Sequence, residues 1–141
     1  MHNPTKVSLI TICSAVIAFN FASCKYEDGP KLTLKSKNSR LVGEWNGKII
    51  GGDTLSGDAE FILEFEDDGD LKLKYTYSYT YYGTTYSYTY DELGKWSWED
   101  KKATIELKID TEVMELEVKR LTSDELWAVD GDKDRWELEK K

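Results

Sequence analysis

Asp58-Ala59-Glu60-Phe61-Ile62-Leu63-Glu64-Phe65-Glu66-Asp67-Asp68-Gly69-Asp70-Leu71-Lys72-Leu73-Lys74-Tyr75-Thr76-Tyr77-Ser78 is the stretch whose reading decides the fold. Ala59, Phe61, Leu63 and Phe65 share one parity, and Glu60, Glu64 and Glu66 share the other, with Ile62 as the exception. Beyond the acidic turn, Leu71, Leu73, Tyr75 and Tyr77 alternate with Lys72, Lys74, Thr76 and Ser78. A period of two means extended chain with one face buried. Asp67-Asp68-Gly69-Asp70 is a tight turn, because Gly accepts positive φ and Asp bonds its own backbone. The stretch therefore reads as two antiparallel strands.

The same period recurs on both sides. A first strand is expected over 43–51, carrying Trp45, Ile49 and Ile50, and the second covers 58–66. The third starts at Leu71, and the fourth ends near Trp98 with Gly94, Trp96 and Trp98 on one face. The fifth, over 102–109, turns Ala103, Ile105, Leu107 and Ile109 inward. The sixth, over 112–120, does so with Met114, Leu116 and Val118. The seventh covers 125–129, and the eighth, 135–140, turns Trp136 and Leu138 inward. Parallel strands would need crossovers of about a dozen residues, and the connections are mostly turns of a few residues. The sheet is therefore an antiparallel meander with no helix to cover its apolar face. Closure onto itself buries that face and removes the edges. The expectation is an all-β, eight-stranded up-and-down barrel, with a flattened sandwich of the same strands as the alternative. The barrel domain is assigned to 40–141. Residues 24–39 are read as a polar tether, with Leu32 and Leu34 docking and a helical turn over 36–41.

Tyr75-Thr76-Tyr77-Ser78-Tyr79-Thr80-Tyr81-Tyr82-Gly83-Thr84-Thr85-Tyr86-Ser87-Tyr88-Thr89-Tyr90 is nearly a palindrome about Gly83. Folded on itself at the 82–85 turn, it places Tyr75, Tyr77, Tyr79, Tyr81, Tyr86, Tyr88 and Tyr90 on one face and hydroxyls on the other. Tyr and Thr both favour strands, and cross-strand aromatic pairs contribute about 0.2–1 kcal/mol each. The hairpin is expected to protrude beyond the barrel rim. It is either a self-stabilising ladder, a platform for a glycan or protein, or a lining for a small ligand.

The chain opens with Lys6, an apolar run of about 15 residues from Val7 to Phe21, then Ala22, Ser23 and Cys24. That run is short for a bilayer core of about 30 Å and suits a signal peptide over 1–23. Phe21-Ala22-Ser23-Cys24 resembles the lipobox of bacterial lipoproteins, which implies a lipid on Cys24. Lys25-Tyr26-Glu27-Asp28 resembles the surface-export signals of Bacteroidetes lipoproteins. Two acyl chains would anchor stably, at about 0.8 kcal/mol per buried methylene. The implied location is the outer membrane, lipid-anchored and surface-exposed.

Removal of 1–23 takes away His2, Cys13 and Lys6, leaving 18 Lys plus Arg against 27 Asp plus Glu. A chain without His or a free thiol lacks Ser-His and Cys-His nucleophilic sites, His-ligated zinc and any internal disulfide. Net negative charge repels phosphates, so nucleic acid is not an expected partner. Asp130, Asp132 and Asp134 have calcium-loop spacing but lack the Gly and Glu that complete such a loop, and read as a turn. Asp67, Asp68 and Asp70 read the same way. No glycine-rich loop opens a helix, no carboxylate pair stands out, and no cofactor or metal is expected.

Gly43-Glu44-Trp45 opens the first strand just after the expected helical turn. This Gly-x-Trp resembles the lipocalin signature, and residues from about Arg40 to Lys140 resemble the small lipocalin-like lipoproteins of Bacteroidetes. The resemblance implies that Trp45 packs at the closed end with an arginine across its ring. Arg135 is the candidate and Arg120 the alternative, at about 0.5–2 kcal/mol for such contact. It also implies a non-enzymatic barrel that binds a small apolar ligand. If Phe61, Phe65, Trp96 and Trp98 fill the interior instead, contact with a glycan or protein falls to the tyrosine hairpin.

Overall fold

The computed structural model describes residues 35–141. In chain order these form α1 (Lys37–Leu41), β1 (Gly43–Ile50), β2 (Asp53–Thr54), β3 (Ala59–Phe65), β4 (Asp70–Tyr81), β5 (Thr84–Glu99), β6 (Thr104–Ile109), β7 (Glu112–Leu121), β8 (Glu125–Val129) and β9 (Arg135–Lys140). The expected signal peptide, the expected lipid site at Cys24 and the expected tether as far as residue 34, with Leu32 and Leu34, lie outside the described residues.

All strand pairs are antiparallel, in the order β1-β3-β4-β5-β6-β7-β8-β9, and β1 also pairs with β9. Eight strands thus close into an up-and-down barrel. The expected fold class holds, with one addition: two-residue β2 doubles back on β1 through Gly51-Gly52, both at positive φ. It escapes the alternation test because two residues cannot show a period. The β3–β4 register joins Phe61 to Tyr75, Leu63 to Leu73 and Phe65 to Leu71, so the apolar parity of both strands meets on one face.

One end of the barrel is plugged. Ser36 caps α1 by accepting from the Ser39 amide at 3.1 Å. Leu41 and Trp45 are fully buried there, and the Trp45 indole N–H donates to the Leu41 carbonyl at 2.6 Å. Arg40 donates to the Leu121 carbonyl at 2.6 Å, and Lys37 to the Lys102 carbonyl at 2.8 Å. α1 therefore belongs to the barrel and straddles the expected domain boundary at residue 40. Above the plug, Phe65 and Trp96 meet edge to face at 5.7 Å, amid Leu63, Leu71, Ile105, Leu116, Leu121 and Leu126. Each such buried side chain contributes about 1.5–3 kcal/mol relative to exposure.

The opposite end holds the 51–58 loop, the β4–β5 hairpin, the β6–β7 turn and the β8–β9 turn. Two inward assignments change with depth along the barrel. Ala103 precedes β6 in the 100–103 turn and is exposed. Met114 does share the inner parity through its pairing with Leu107, yet it is 40% exposed because it sits at the open end. Ile62, the parity exception, is buried outside the main core cluster.

Candidate binding mouth

The open end contains a cavity of about 670 Å³. Its floor is Phe61, Leu63, Leu107 and Trp136, and its wall includes Leu73, Ile109 and Met114. Strand parity explains this set. Phe61, Leu73, Leu107 and Trp136 continue the inner faces of β3, β4, β6 and β9 past the packed layer. Phe61 and Trp136 meet edge to face at 5.8 Å and end the filled half. The interior is thus filled at the plug and open at the mouth. Phe65 and Trp96 pack the lower layer, while Phe61 serves as floor.

The rim is acidic. Glu92, Asp110 and Glu112 line it, with no Lys or Arg among the lining residues. Glu92 pairs with Leu73 and Glu112 with Ile109, which puts both carboxylates on the inner parity at the lip.

The tyrosine hairpin rises from this lip. β4 and β5 stay in register over twelve pairs, ending in the two-residue turn Tyr82-Gly83 at φ +48° and +77°. Such a turn matches strand twist and needs positive φ at both positions. Tyr75 faces Tyr90, Tyr77 faces Tyr88, and Tyr79 faces Tyr86. These rings share the inner parity with Leu73 and Glu92, so the ladder is the barrel lining carried beyond the rim. Tyr75 packs on the core, and Tyr77 is half-buried. Tyr79, Tyr81, Tyr86, Tyr88 and Tyr90 are exposed.

Rings stack sideways along the ladder. Tyr77–Tyr88, Tyr79–Tyr86 and Tyr79–Tyr88 lie 5.3, 5.4 and 6.0 Å apart at interplanar angles of 19°, 23° and 6°. The ring faces are turned toward one another. On the reverse face, hydroxyl pairs Thr76–Thr89, Ser78–Ser87 and Thr80–Thr85 each meet at 3.1 Å. Burial, then hydrogen bonding to Tyr90, raises the Tyr77 phenol above its ordinary pKa. Hydrogen bonding to Tyr88 chiefly raises that of Tyr79.

The Gly-x-Trp residues sit at the other end. The resemblance implies an arginine across the Trp45 ring, but the residue found there is Lys140, with Nζ 4.9 Å from the ring centroid. Arg135 cannot occupy that place. It opens β9 at the mouth end, five residues or about 16 Å from Lys140, and its guanidinium pairs with Glu137 at 3.2 Å. Its parity is also outward, opposite to Trp136, Leu138 and Lys140. Arg120, the alternative, lies over Trp127 at 5.1 Å. Gly43, at φ +126°, lies under Lys140, where an added Cβ would sit 2.8 Å from Cε.

The two acidic turns are occupied by their own backbones. Asp130 accepts from the amides of Asp132 and Asp134 and from the Trp136 indole, each at 3.0 Å. Asp68 accepts from the Asp70 amide at 3.0 Å. Glu66, Asp68 and Asp70 bring carboxylate oxygens within 4.8 Å, but Lys72 pairs with Glu66 and Lys95 with Asp70. The residues that sequence reading missed are Lys140, Glu92 and Glu112, all charged on the inner parity. Counting by twos from Trp136, Tyr90 and Met114 reaches each of them. No protein-family model matches the chain, and no curated protein is significantly similar to it.

Proposed function

We propose that this is a non-enzymatic, lipocalin-like envelope protein, lipid-anchored through Cys24, that holds a small molecule with an apolar body in its open mouth. The observation that supports this most is the 670 Å³ cavity over an apolar floor. Ligand cavities commonly span about 300–1,000 Å³ and combine apolar lining with a few polar groups. Residues 35–141 contain no His and no Cys, which favours binding over nucleophilic chemistry. The three rim carboxylates select by charge. A neutral or cationic head group is accepted at the lip, and an anionic one is repelled. Glycan stacking on the tyrosine ladder draws less support, because a sugar ring needs an exposed aromatic face and most of these faces meet each other.

The test is titration of the protein with an alcohol, an amine and a carboxylate of equal alkyl length, read by tryptophan fluorescence. The alcohol and amine should bind at least tenfold tighter than the carboxylate. Met114→Trp, which fills the mouth from an exposed position, should abolish all binding. No binding by any of the three, or binding indifferent to Met114→Trp, would overturn the reading.

A further inference from the structure

β5 outruns its neighbour. β6 joins it only from Gly94 onward, where Gly94 meets Ile109. Residues 84–93 therefore have β4 on one side and, among the described residues, no strand on the other. Ten residues of open edge is a template for another strand. Proteins usually blunt such an edge with lysine, proline or a bulge. From Thr84 to Tyr90 there is no charge and no proline, and the β4 register is unbroken. This neutral strip belongs to a chain of net charge −8.

The hairpin itself shows which strand this surface accepts. β4 presents alternating Tyr and Thr or Ser to β5 in antiparallel register, ring to ring and hydroxyl to hydroxyl. The open edge of β5 carries the same alternation. We propose that it pairs with the same edge of a second copy, antiparallel, about a two-fold axis at Tyr88.

That register is self-consistent. The tight turn makes Tyr81–Thr84 a hydrogen-bonded pair, so hydrogen bonds to β4 fall at even-numbered residues of β5. The backbone groups of Thr85, Ser87, Thr89 and Asp91 then point to the open side. About Tyr88, Ser87 meets Thr89 and Thr85 meets Asp91 of the second copy, so outward groups meet outward groups. Tyr86 meets Tyr90, and Glu92 meets Thr84. No two charges face each other directly, where like charges would destabilise. The contact is isologous and closes as a dimer. Beyond Tyr77 the far edge of β4 is short, with Ser78 already bonded to the Asp58 carbonyl, so growth stops at two copies. The tyrosine ladder becomes four strands wide. The pairing does not depend on what the mouth holds.

The experiment uses the full chain in detergent. Sedimentation should show a dimer of protein mass, and Ser87→Pro should yield a monomer with unchanged circular dichroism. That proline removes an outward amide and the hydroxyl that meets Ser78, while the backbone hydrogen bonds between β4 and β5 stay in place. Should it disturb the hairpin, Ser87→Lys places a charge in the same seam and should also give a monomer. Tyr88→Cys should form an intermolecular disulfide on mild oxidation, because a non-hydrogen-bonded pair brings Cα atoms to about 4.5 Å. Tyr82→Cys, at the exposed tip, should cross-link far more slowly. A monomeric parent chain, dimers that survive both Ser87 variants, or equal cross-linking at 82 and 88 would overturn the proposal. A monomer whose edge instead captures an added Tyr/Thr peptide would overturn it too, in favour of a foreign strand.

Discussion

Lys140 lies over the Trp45 ring and donates to two carbonyls of the chain that leads into it, Arg40 at 2.7 Å and Val42 at 2.6 Å. One side chain thus ties the last strand, the first strand and the helical plug together. Lys140→Ala should lower stability by about 2 kcal/mol, combining the lost charge-assisted bonds and the ring contact. Urea denaturation followed by tryptophan fluorescence measures it. A change under about 0.5 kcal/mol would show that the two carbonyls find water at no cost.

Gly43 depends on that lysine. Gly43→Ala introduces a Cβ 2.8 Å from Lys140 Cε and holds Ala at φ +126°. The expected loss is about 1–3 kcal/mol. In the Lys140→Ala background the clash is gone and only the backbone strain remains, so the loss should shrink measurably. Gly94→Ala offers the contrast. Its Cβ would run into the Lys108 carbonyl oxygen, which is main chain, so no side-chain truncation should rescue it.

Asp130 makes the β8–β9 turn acid-sensitive. The Trp136 indole N–H, helped by the Asp132 and Asp134 amides, holds its carboxyl below the usual carboxylate range. A folded pKa below the unfolded value of about 3.9 stabilises at higher pH, and the contribution is lost as pH falls through the folded value. The stability gap between the parent chain and Asp130→Asn should therefore be full above about pH 4 and close below it. Denaturation midpoints across that range test this, and a constant gap would refute it.

The tyrosine ladder has the opposite sign. Raised phenol pKa values at Tyr77 and Tyr79 mean that the folded hairpin favours the neutral form. Its contribution should be intact below about pH 10 and be lost as pH climbs through the folded values. Absorbance of tyrosinate should show a late-titrating fraction that shrinks in Tyr79→Phe. Normal titration of every tyrosine would contradict the ladder.

Alternation made the barrel legible from residues alone. β8 and β9 begin and end where their patterns do, and the inner parity of Leu63, Leu107 and Trp136 follows by counting. Counting assigns a face, however, and not a depth. Ala103 and Met114 carry apolar side chains near opposite ends of the barrel, where little remains to cover them. Lys140 was hidden by its charge. Its inner parity conflicts with the rule that cations face water, yet its ammonium lies over the Trp45 ring and reaches two carbonyls. The mouth was illegible for another reason: whether Phe61 and Trp136 fill a barrel or floor a cavity depends on volumes summed over eight strands.

The plug also sets a direction. The described chain begins at Lys35 beside α1, and it finishes at Lys141, whose amide bonds to the Glu44 carbonyl at 2.9 Å. Both ends leave from the sealed base. The base is thus where the described chain is entered and left, and the bowl and its tyrosine spout stand at the far end from both.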